Sequence, residues 1–244
     1  MSRYGRPTAV SYSFGPGPMT FAVKAIIWSN IAFFIIRLLF EPIIGYLGLV
    51  PSAVFEKGWI WQVVTYLFLH ADPWHILFNM LGIWMFGTEL ERLWGTNAFV
   101  KYYAVTGVGA GLVVLATSLL PIGPLAGMYQ SITIGASGAL YGLLVAYALQ
   151  WPERPILLIL IPIPAKYFVM IYGALALLTF ANTRVSAAAH IGGLVIGYLY
   201  LKQRKVGGIT AEIKYRYFKW KMNRLRRKFD VYSGGKGDWD KHVH

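Results

Sequence analysis

The sequence lacks cysteine altogether and contains few charged residues. Without cysteine, the chain can form no disulfide, no thiolate metal site and no cysteine nucleophile. Only 14% of its 244 residues are charged and 57% are hydrophobic, whereas a soluble domain carries about 25% charged residues. This composition excludes an ordinary soluble domain and predicts an all-α, polytopic integral membrane protein whose size allows one compact bundle.

Acidic residues are the scarcer of the two charge types. The chain has 10 Asp and Glu against 23 Lys and Arg, for a formal net charge of +13. Between residues 202 and 228, eleven basic residues accompany one acid, Glu212, directly after the last apolar segment. That position favours a cytoplasmic anchor beside anionic lipid over an arm that binds nucleic acid. We therefore expect a basic cytoplasmic C-terminal tail at 205–244 and no nucleic-acid partner.

Six apolar segments approach the roughly 20 residues that a helix needs to cross a bilayer. Their approximate bounds are 21–40, 73–89, 98–120, 135–151, a fifth segment that ends at Phe180, and 186–201. The positive-inside rule assigns the side with most of the basic residues to the cytoplasm. It predicts a six-transmembrane-helix domain at 21–204 with both termini cytoplasmic. The proline-interrupted stretch 155–164 is expected to be an irregular or interfacial connection.

The N-terminal residues 1–20 carry Arg3 and Arg6 among several glycines and prolines. They contain no early apolar run followed by a small-residue cleavage site, so they are not expected to be a signal peptide. This composition predicts a flexible cytoplasmic tail.

The fourth segment is unusually short. Its helical part, from Ser137 to Gln150, has 14 residues, roughly 21 Å of helix, which falls short of the bilayer core. If its C-terminal end lies at the cytoplasmic interface, Ser137 lies several ångströms below the outer surface. Irregular backbone at such a depth is tolerated only inside protein or along a water-filled cavity, and hydrolysis needs such a cavity.

Ser137 is the candidate nucleophile and His190 is the candidate base. A serine hydroxyl needs a base to accept its proton, and imidazole titrates near neutral pH. The two side chains can meet only if the fourth and sixth segments pack closely, and both segments carry small residues at the spacing that permits close packing. These residues are Gly138 with Gly142 and Gly193 with Gly197. Tyr141 follows Ser137 on the same helical face and could stack on His190.

His75 and Asn79 form an i, i+4 pair on the second segment, so both lie on one face. An imidazole N–H and an amide NH₂ aimed at one point resemble an oxyanion hole. The backbone amide of Ser137 and the dipole of its helix would add to it. Since the fourth and sixth segments contain no Asp or Glu, the sequence predicts a Ser-His dyad in which packing orients the base.

Each of these signals also has a structural interpretation. Glycine and serine are usually packing residues in membrane helices, and a membrane histidine is as often a hydrogen-bonded strut as a catalyst. We interpret His70 as structural. A metal site formed by His70, His75 and His190, or a proton relay through the last two, stays open, although no mirrored pair of broken helices supports a transporter. The occurrence of three motifs on three segments, all toward one side, favours an intramembrane serine hydrolase.

Together these motifs resemble those of the rhomboid family of intramembrane serine proteases, over roughly residues 61–200. The motifs that carry the resemblance are Trp61-Gln62, His75-x-x-x-Asn79, Glu91-Arg92-x-x-Gly95, Gly135-x-Ser137-Gly138-x-x-Tyr141 and Ala189-His190-x-x-Gly193-x-x-x-Gly197. The resemblance implies that Ser137 is the nucleophile and His190 the base. It also implies that His75 and Asn79 contribute to the oxyanion hole and that Tyr141 packs against the base.

The resemblance further implies an endopeptidase that cleaves single-span transmembrane proteins near the outer leaflet, without a cofactor or metal. The alternative is a non-catalytic rhomboid-like protein that binds transmembrane clients, but such proteins typically lack the serine or the histidine, and this chain has both. The first-loop motif of the family is often Trp-Arg, so Gln62 leaves the internal bonding of that loop open. The compact, cysteine-free core favours a prokaryotic plasma membrane.

Overall fold

The computed structural model describes residues 16–120, 127–158, 161–178, 187–203 and Lys219. The chain divides into two compact units, residues 1–200 and 201–244. In the second unit, residues 201–203 and Lys219 are helical. Apart from Lys219, the predicted basic tail at 205–244 lies outside the described residues.

Helices make up most of the described chain, which confirms the predicted helical class. Their bounds are α1 Phe21–Leu39, α2 Ile43–Leu47, α3 Pro51–Lys57, α4 Gln62–Thr65, α5 Pro73–Gly82, α6 Thr88–Trp94, α7 Thr96–Ser118, α8 Ser137–Gln150, α9 Ala165–Leu178 and α10 187–203. Among the described helices, α1 and α7 are long and apolar enough to cross a membrane, while α8 and the Ala165–Leu175 part of α9 are apolar but shorter. The number of spans and the orientation of the termini stay predictions.

The second predicted segment forms one continuous helical rod. Asp72 caps its start, because the Asp72 carboxylate accepts hydrogen bonds from the backbone amides of Trp74 and His75, both at 2.9 Å. A wider π turn, Ile83–Gly87, joins α5 to α6. The rod ends at Gly95, whose φ of +79° lies in the region that glycine favours. The rod therefore carries His75 in its first turn and the Glu91-Arg92 motif in its last.

Helix α8 is in close backbone contact with both α7 and α10. A Cβ atom placed on Gly193 would lie 1.9 Å from the carbonyl oxygen of Gly138, and one placed on Gly138 would lie 2.7 Å from Ala110 Cβ. A Cβ atom on Gly197 would lie 2.6 Å from the hydroxyl of Tyr102 and 3.1 Å from the Cα atom of Gly142. The small residues at i and i+4 therefore permit the close approach of the fourth and sixth segments.

The connection after α8 contains a β-hairpin, so the expectation of an irregular stretch was wrong. Strands β1 (Pro155–Leu158) and β2 (Ile161–Pro164) pair antiparallel, with Pro155 opposite Pro164. Prolines disfavour a central strand because they lack an N–H donor, but each strand of a two-stranded hairpin has an open edge where no donor is needed. The all-α description thus requires this one amendment within the described residues.

The N-terminal end of α1 is held by the last turn of the rod. The Glu91 carboxylate accepts hydrogen bonds from the hydroxyls of Thr20 (2.5 Å) and Thr96 (2.7 Å) and from the backbone amides of Ala22 and Val23 (both 3.0 Å). It thereby satisfies donors that an isolated helix would leave unpaired.

The neighbouring Arg92 donates to the carbonyl oxygens of Pro16 and Pro18, and Trp84 Nε1 donates to the carbonyl oxygen of Gly17 at 3.2 Å. Residues 16–20 of the predicted flexible tail are therefore hydrogen-bonded to the domain. Residues 1–15 lie outside the described part of the chain.

Candidate active site

The structure brings together the two side chains that the sequence assigns to catalysis. Ser137 is the first residue of α8, and His190 lies in α10. His190 Nε2 lies 2.9 Å from Ser137 Oγ, within hydrogen-bonding distance. The contact spans 53 positions of sequence, and it exists because the glycine contacts bring α8 and α10 together. This is the geometry of a hydroxyl next to a base that can accept its proton.

The backbone before Ser137 is set by Gly135. Its φ is +118°, which a residue with a side chain rarely adopts. Its amide donates to the carbonyl oxygen of Tyr66 at 2.9 Å. This bond ties residues 133–137, which we call the serine loop, to the connection between α1 and α5. Ala136 then precedes the first turn of α8. Ser137 therefore lies where the helix dipole is positive and where backbone amides are free of intrahelical partners.

Tyr141 lies flat against the candidate base. The Tyr141 and His190 rings stack with centroids 4.3 Å apart and an interplanar angle of 14°. The Tyr141 hydroxyl lies 3.5 Å from the carbonyl oxygen of Tyr172 in α9, at the limit of a hydrogen bond. The ring contact restricts rotation of the imidazole, which is the part that the carboxylate plays in a triad.

His75 approaches the serine from the second helical segment. Its Nδ1 accepts a hydrogen bond from the backbone amide of Ala71 at 3.3 Å, so in the neutral ring the hydrogen is on Nε2. A Cβ atom placed on Gly135 would lie 2.8 Å from His75 Nε2 and 3.8 Å from Ser137 Oγ. A side chain at Gly135 would therefore collide with the His75 ring, and the glycine lets an N–H donor approach the serine hydroxyl. An imidazole N–H beside the attacking hydroxyl is the kind of donor that stabilises an oxyanion.

Asn79 lies one turn after His75 and is buried. Its Nδ2 donates to the His75 carbonyl oxygen at 2.8 Å, so one of its two amide hydrogens is already committed. Its Oδ1 has no hydrogen-bond partner among the described residues. Asn79 is therefore on the predicted face with one amide hydrogen left to donate.

His70, which the sequence analysis interpreted as structural, is buried against His75. Its ring is 0% exposed, and neither nitrogen has a hydrogen-bond partner in the described part of the chain. It meets the His75 ring edge-on, with centroids 4.9 Å apart. Burial, with a smaller contribution from His75, lowers the pKa of His70 to about 3, so this ring is neutral at physiological pH. Among the described residues, no group of three or more His, Asp or Glu side chains could hold a metal ion.

Sequence reasoning missed the residues that fix the serine loop from the other side. Leu49 and Thr133 exchange two backbone hydrogen bonds, of 2.9 and 2.8 Å. The Tyr66 hydroxyl donates to the Gly107 carbonyl oxygen at 2.7 Å. This bond attaches to α7 the connection between α1 and α5, which in turn holds the serine loop. Backbone pairings of this kind leave no mark in composition or periodicity, because every residue carries the same amide.

Comparison with known proteins matches this region to one family. A family model described as Rhomboid domain matches residues 57–203. The mitochondrial rhomboid protein 1 of Saccharomyces cerevisiae is 30% identical over 151 residues, which are 57% of this chain and 40% of that protein. The rhomboid protease GluP of Bacillus subtilis is 27% identical over 152 residues, 62% of this chain and 27% of that protein. The rhomboid protease GlpG of Serratia proteamaculans is 27% identical over 183 residues, 75% of this chain and 61% of that protein. The matched regions therefore span between 27% and 61% of these relatives' own lengths.

Proposed function

The chain belongs to the rhomboid family, and from that membership we propose that it is a serine endopeptidase that cleaves proteins within the membrane. The observation that carries the proposal is the 2.9 Å contact between Ser137 Oγ and His190 Nε2. The rhomboid domain and the apolar helices α1 and α7 make the chain an integral membrane protein. This membership supports the proposal that the nucleophile acts on substrates in the same membrane.

In the proposed reaction, Ser137 Oγ attacks the carbonyl carbon of the scissile bond while its proton passes to His190 Nε2. The tetrahedral intermediate collapses when the C–N bond breaks and His190 returns the proton to the leaving amine nitrogen. His190 then accepts a proton from water, whose oxygen attacks the acyl carbon, and it returns that proton to Ser137 Oγ as the ester C–O bond breaks and the acid product leaves. Tyr141 keeps the imidazole plane in place through these proton transfers.

The negative charge of the intermediate would lie next to Gly135. His75 Nε2–H, the remaining amide hydrogen of Asn79 and the backbone amide of Ser137 are the proposed donors. The absence of a side chain at Gly135 permits this approach of His75, because a Cβ atom there would lie 2.8 Å from His75 Nε2. One such donor is worth roughly 3 kcal/mol in the activation barrier.

We propose single-span transmembrane proteins as substrates. A regular helix keeps its carbonyl groups in i→i−4 hydrogen bonds, so cleavage should occur where small or helix-breaking residues open those bonds. With six spans and both termini in the cytoplasm, the 14 residues of α8 would put Ser137 below the outer surface. The proposed domain is 21–204, with tails at 1–20 and 205–244.

The setting that we propose is a prokaryotic plasma membrane, in which the basic residues of 205–244 lie against anionic lipid. The yeast relative is named as mitochondrial, so an organelle inner membrane is the competing location. Localisation of the tagged full chain distinguishes the two settings.

The first experiment is labelling of the purified, detergent-solubilised full chain with a fluorophosphonate probe. We expect labelling of the wild type, and none of Ser137→Ala or His190→Ala. Ser131→Ala is the matched control, since the Ser131 hydroxyl donates to the Gly127 carbonyl oxygen at 2.8 Å and makes no hydrogen bond to a histidine among the described residues. A folded wild type that is not labelled, or labelling that survives Ser137→Ala, would overturn the proposal and favour a non-catalytic protein that binds transmembrane clients.

A further inference from the structure

Gln62 is a buried polar residue that the proposed reaction does not use. It is 0% exposed and begins α4. Both ends of its amide are bonded: Oε1 accepts from the Val50 amide at 3.0 Å, and Nε2 donates to the carbonyl oxygens of Gly45 (3.1 Å) and Tyr46 (3.2 Å). A buried amide with three satisfied bonds fixes the backbone to which it is bonded, because breaking any of them would leave a buried group unpaired.

The backbone that Gln62 holds is the one that pairs with the serine loop. Val50 directly follows Leu49, and Leu49 exchanges hydrogen bonds with Thr133. Thr133 precedes Gly135 by two residues, and Gly135 precedes Ser137 by two. The Gln62 amide therefore influences the position of Ser137 through the Leu49–Thr133 bridge, since Ser137 follows Thr133 by only four residues.

The turn that follows α4 bonds directly to the serine loop. Tyr66 follows Gln62 by one turn, and its carbonyl oxygen accepts the Gly135 amide at 2.9 Å. The loop is therefore fixed at two points, at Thr133 through Gln62 and at Gly135 through Tyr66. Two fixed points two residues apart determine the direction in which the chain enters α8, and with it the position of the Ser137 hydroxyl.

We propose that Gln62 is a positioning residue that sets the reactivity of Ser137 by holding the Leu49–Thr133 bridge, an inference that rests on the proposed function. The side-chain amide of Gln62 suits this role because it supplies a hydrogen-bond acceptor and donors at the same time. An arginine would donate to the carbonyl oxygens of Gly45 and Tyr46 but would leave the Val50 amide without an acceptor. It would also bury a charge.

The test compares Gln62→Met with Trp61→Phe in the purified full chain. Methionine keeps the approximate length of the side chain and removes all three bonds. Trp61 is the matched control because its Nε1 donates to the carbonyl oxygen of Tyr46 at 2.9 Å, in the same loop but without touching Val50. The readout is the rate of fluorophosphonate labelling per folded molecule. We expect about a tenfold loss for Gln62→Met and less than about a twofold change for Trp61→Phe. Gln62→Asn retains polarity but shortens the reach, and we expect it to lose rate in the same way.

A purely structural part for Gln62 predicts a different result. It would lower the folded fraction or the melting temperature while each folded molecule reacted at the wild-type rate, and that result would overturn the inference. Amide hydrogen exchange gives a second readout that needs no activity. We expect exchange at Leu49, Thr133 and Gly135 to become about tenfold faster in Gln62→Met, with the central turns of α8 unchanged. Equal exchange in the two proteins would overturn the inference. If the wild type is not labelled, the proposed function fails, and the exchange result still decides whether Gln62 holds the bridge.

Discussion

The two ends of the rod formed by α5, the π turn and α6 are built from different chemistry. At the first turn, the His75 ring lies beside Gly135 and Ser137, and the Asp72 carboxylate caps the backbone of the helix. At the last turn, the Glu91 carboxylate accepts four hydrogen bonds, three from the start of α1 and one from Thr96 at the start of α7. We refer to these as the serine end (His75, Gly135, Ser137 and His190) and the Glu91 end (Thr20, Ala22, Val23, Glu91 and Thr96).

The serine end carries the proposed reactivity, whereas the Glu91 end anchors helix termini. Hydrogen bonds to charged groups contribute about 1.5–3 kcal/mol, and neutral ones about 0.5–1.5 kcal/mol. A fixed carboxylate is therefore suited to holding a helix terminus in place. The side chains of the serine end are a hydroxyl and two imidazoles, which would transfer a proton in the proposed reaction, while the nearby Asp72 carboxylate is bonded to backbone amides. Substitutions at the two ends should consequently change different measured quantities.

The largest effect is expected from Gly193→Ala, which separates α10 from α8. The added Cβ atom would lie 1.9 Å from the Gly138 carbonyl oxygen in the first turn of α8, and helix backbone cannot move away as a side chain can. We expect a loss of more than about 3 kcal/mol of unfolding free energy and no labelling of Ser137. Thermal melting in detergent and probe labelling measure the two.

Gly173→Ala is the matched control for that substitution. Its Cβ atom would meet Leu194 Cδ1 at 3.4 Å, an ordinary contact with a flexible side chain. We expect near wild-type melting for this variant. Equal melting of Gly193→Ala and wild type would show that α8 and α10 are farther apart than the structure has them.

The next largest effect is expected from His75→Ala, which removes a proposed oxyanion donor from the serine end. Loss of one donor typically costs 10²–10³-fold in rate, about 2.7–4 kcal/mol in the barrier. We expect probe labelling to slow by about that factor, while the melting temperature changes little because Asp72 still caps α5. Labelling at the wild-type rate would remove His75 from the mechanism and leave Asn79 and the Ser137 amide as donors.

The same division explains which parts of the molecule the sequence could predict. Long apolar segments predict helices, and glycines four residues apart predict the close packing of α8 on α10. The Ser137–His190 contact followed from those two signals, together with the chemistry of the side chains. The contact is present in the structure because it depends on residue types at short spacing, whereas the catalytic roles of the two side chains stay predictions.

Other features depend on pairings between distant backbone groups. The Leu49–Thr133 bridge joins residues more than eighty positions apart through amides that every residue has. The hairpin at 155–164 runs against the usual avoidance of proline in strands. Glu91 could be recognised as part of a motif, but its bonds to the amides of Ala22 and Val23 need the folded position of α1. Such contacts are set by tertiary packing, which a single sequence does not encode locally.

A smaller effect, on stability rather than reactivity, is expected from Glu91→Gln. Glu91 is only 4% exposed, and an amide in its place presents donors to groups that themselves donate. We expect a loss of about 1–3 kcal/mol in unfolding free energy and an unchanged labelling rate per folded molecule. A slower rate at an unchanged melting temperature would contradict the division between the two ends.

Glu91 also makes the comparison depend on pH. Burial alone would raise the pKa of Glu91, but the hydrogen bonds from Thr20, Ala22, Thr96 and Val23 outweigh it and hold the pKa below its usual range. The carboxylate therefore contributes its full stability above the pKa that it has in the unfolded chain. That contribution is lost as the pH falls through the lower folded-state pKa. Below about pH 4, we expect the melting temperature of the wild type to fall more steeply than that of Glu91→Gln. Parallel curves would mean that the carboxylate does not hold α1.

The smallest effect is expected from Arg154→Gln, which removes the ion pair with Glu89, two residues before Glu91. The two side chains meet at 3.2 Å but are 44% and 21% exposed, and exposed pairs contribute about 0.2–1 kcal/mol. The Arg154 guanidinium also lies over the rings of Trp151 and Tyr147, so part of any loss is independent of Glu89. A double-mutant cycle with Glu89→Gln separates the two contributions. A coupling below about 1 kcal/mol would show that the Glu91 end owes its strength to a buried carboxylate with four donors rather than to charge pairs in general, whereas a larger coupling would assign that end to its surface charges.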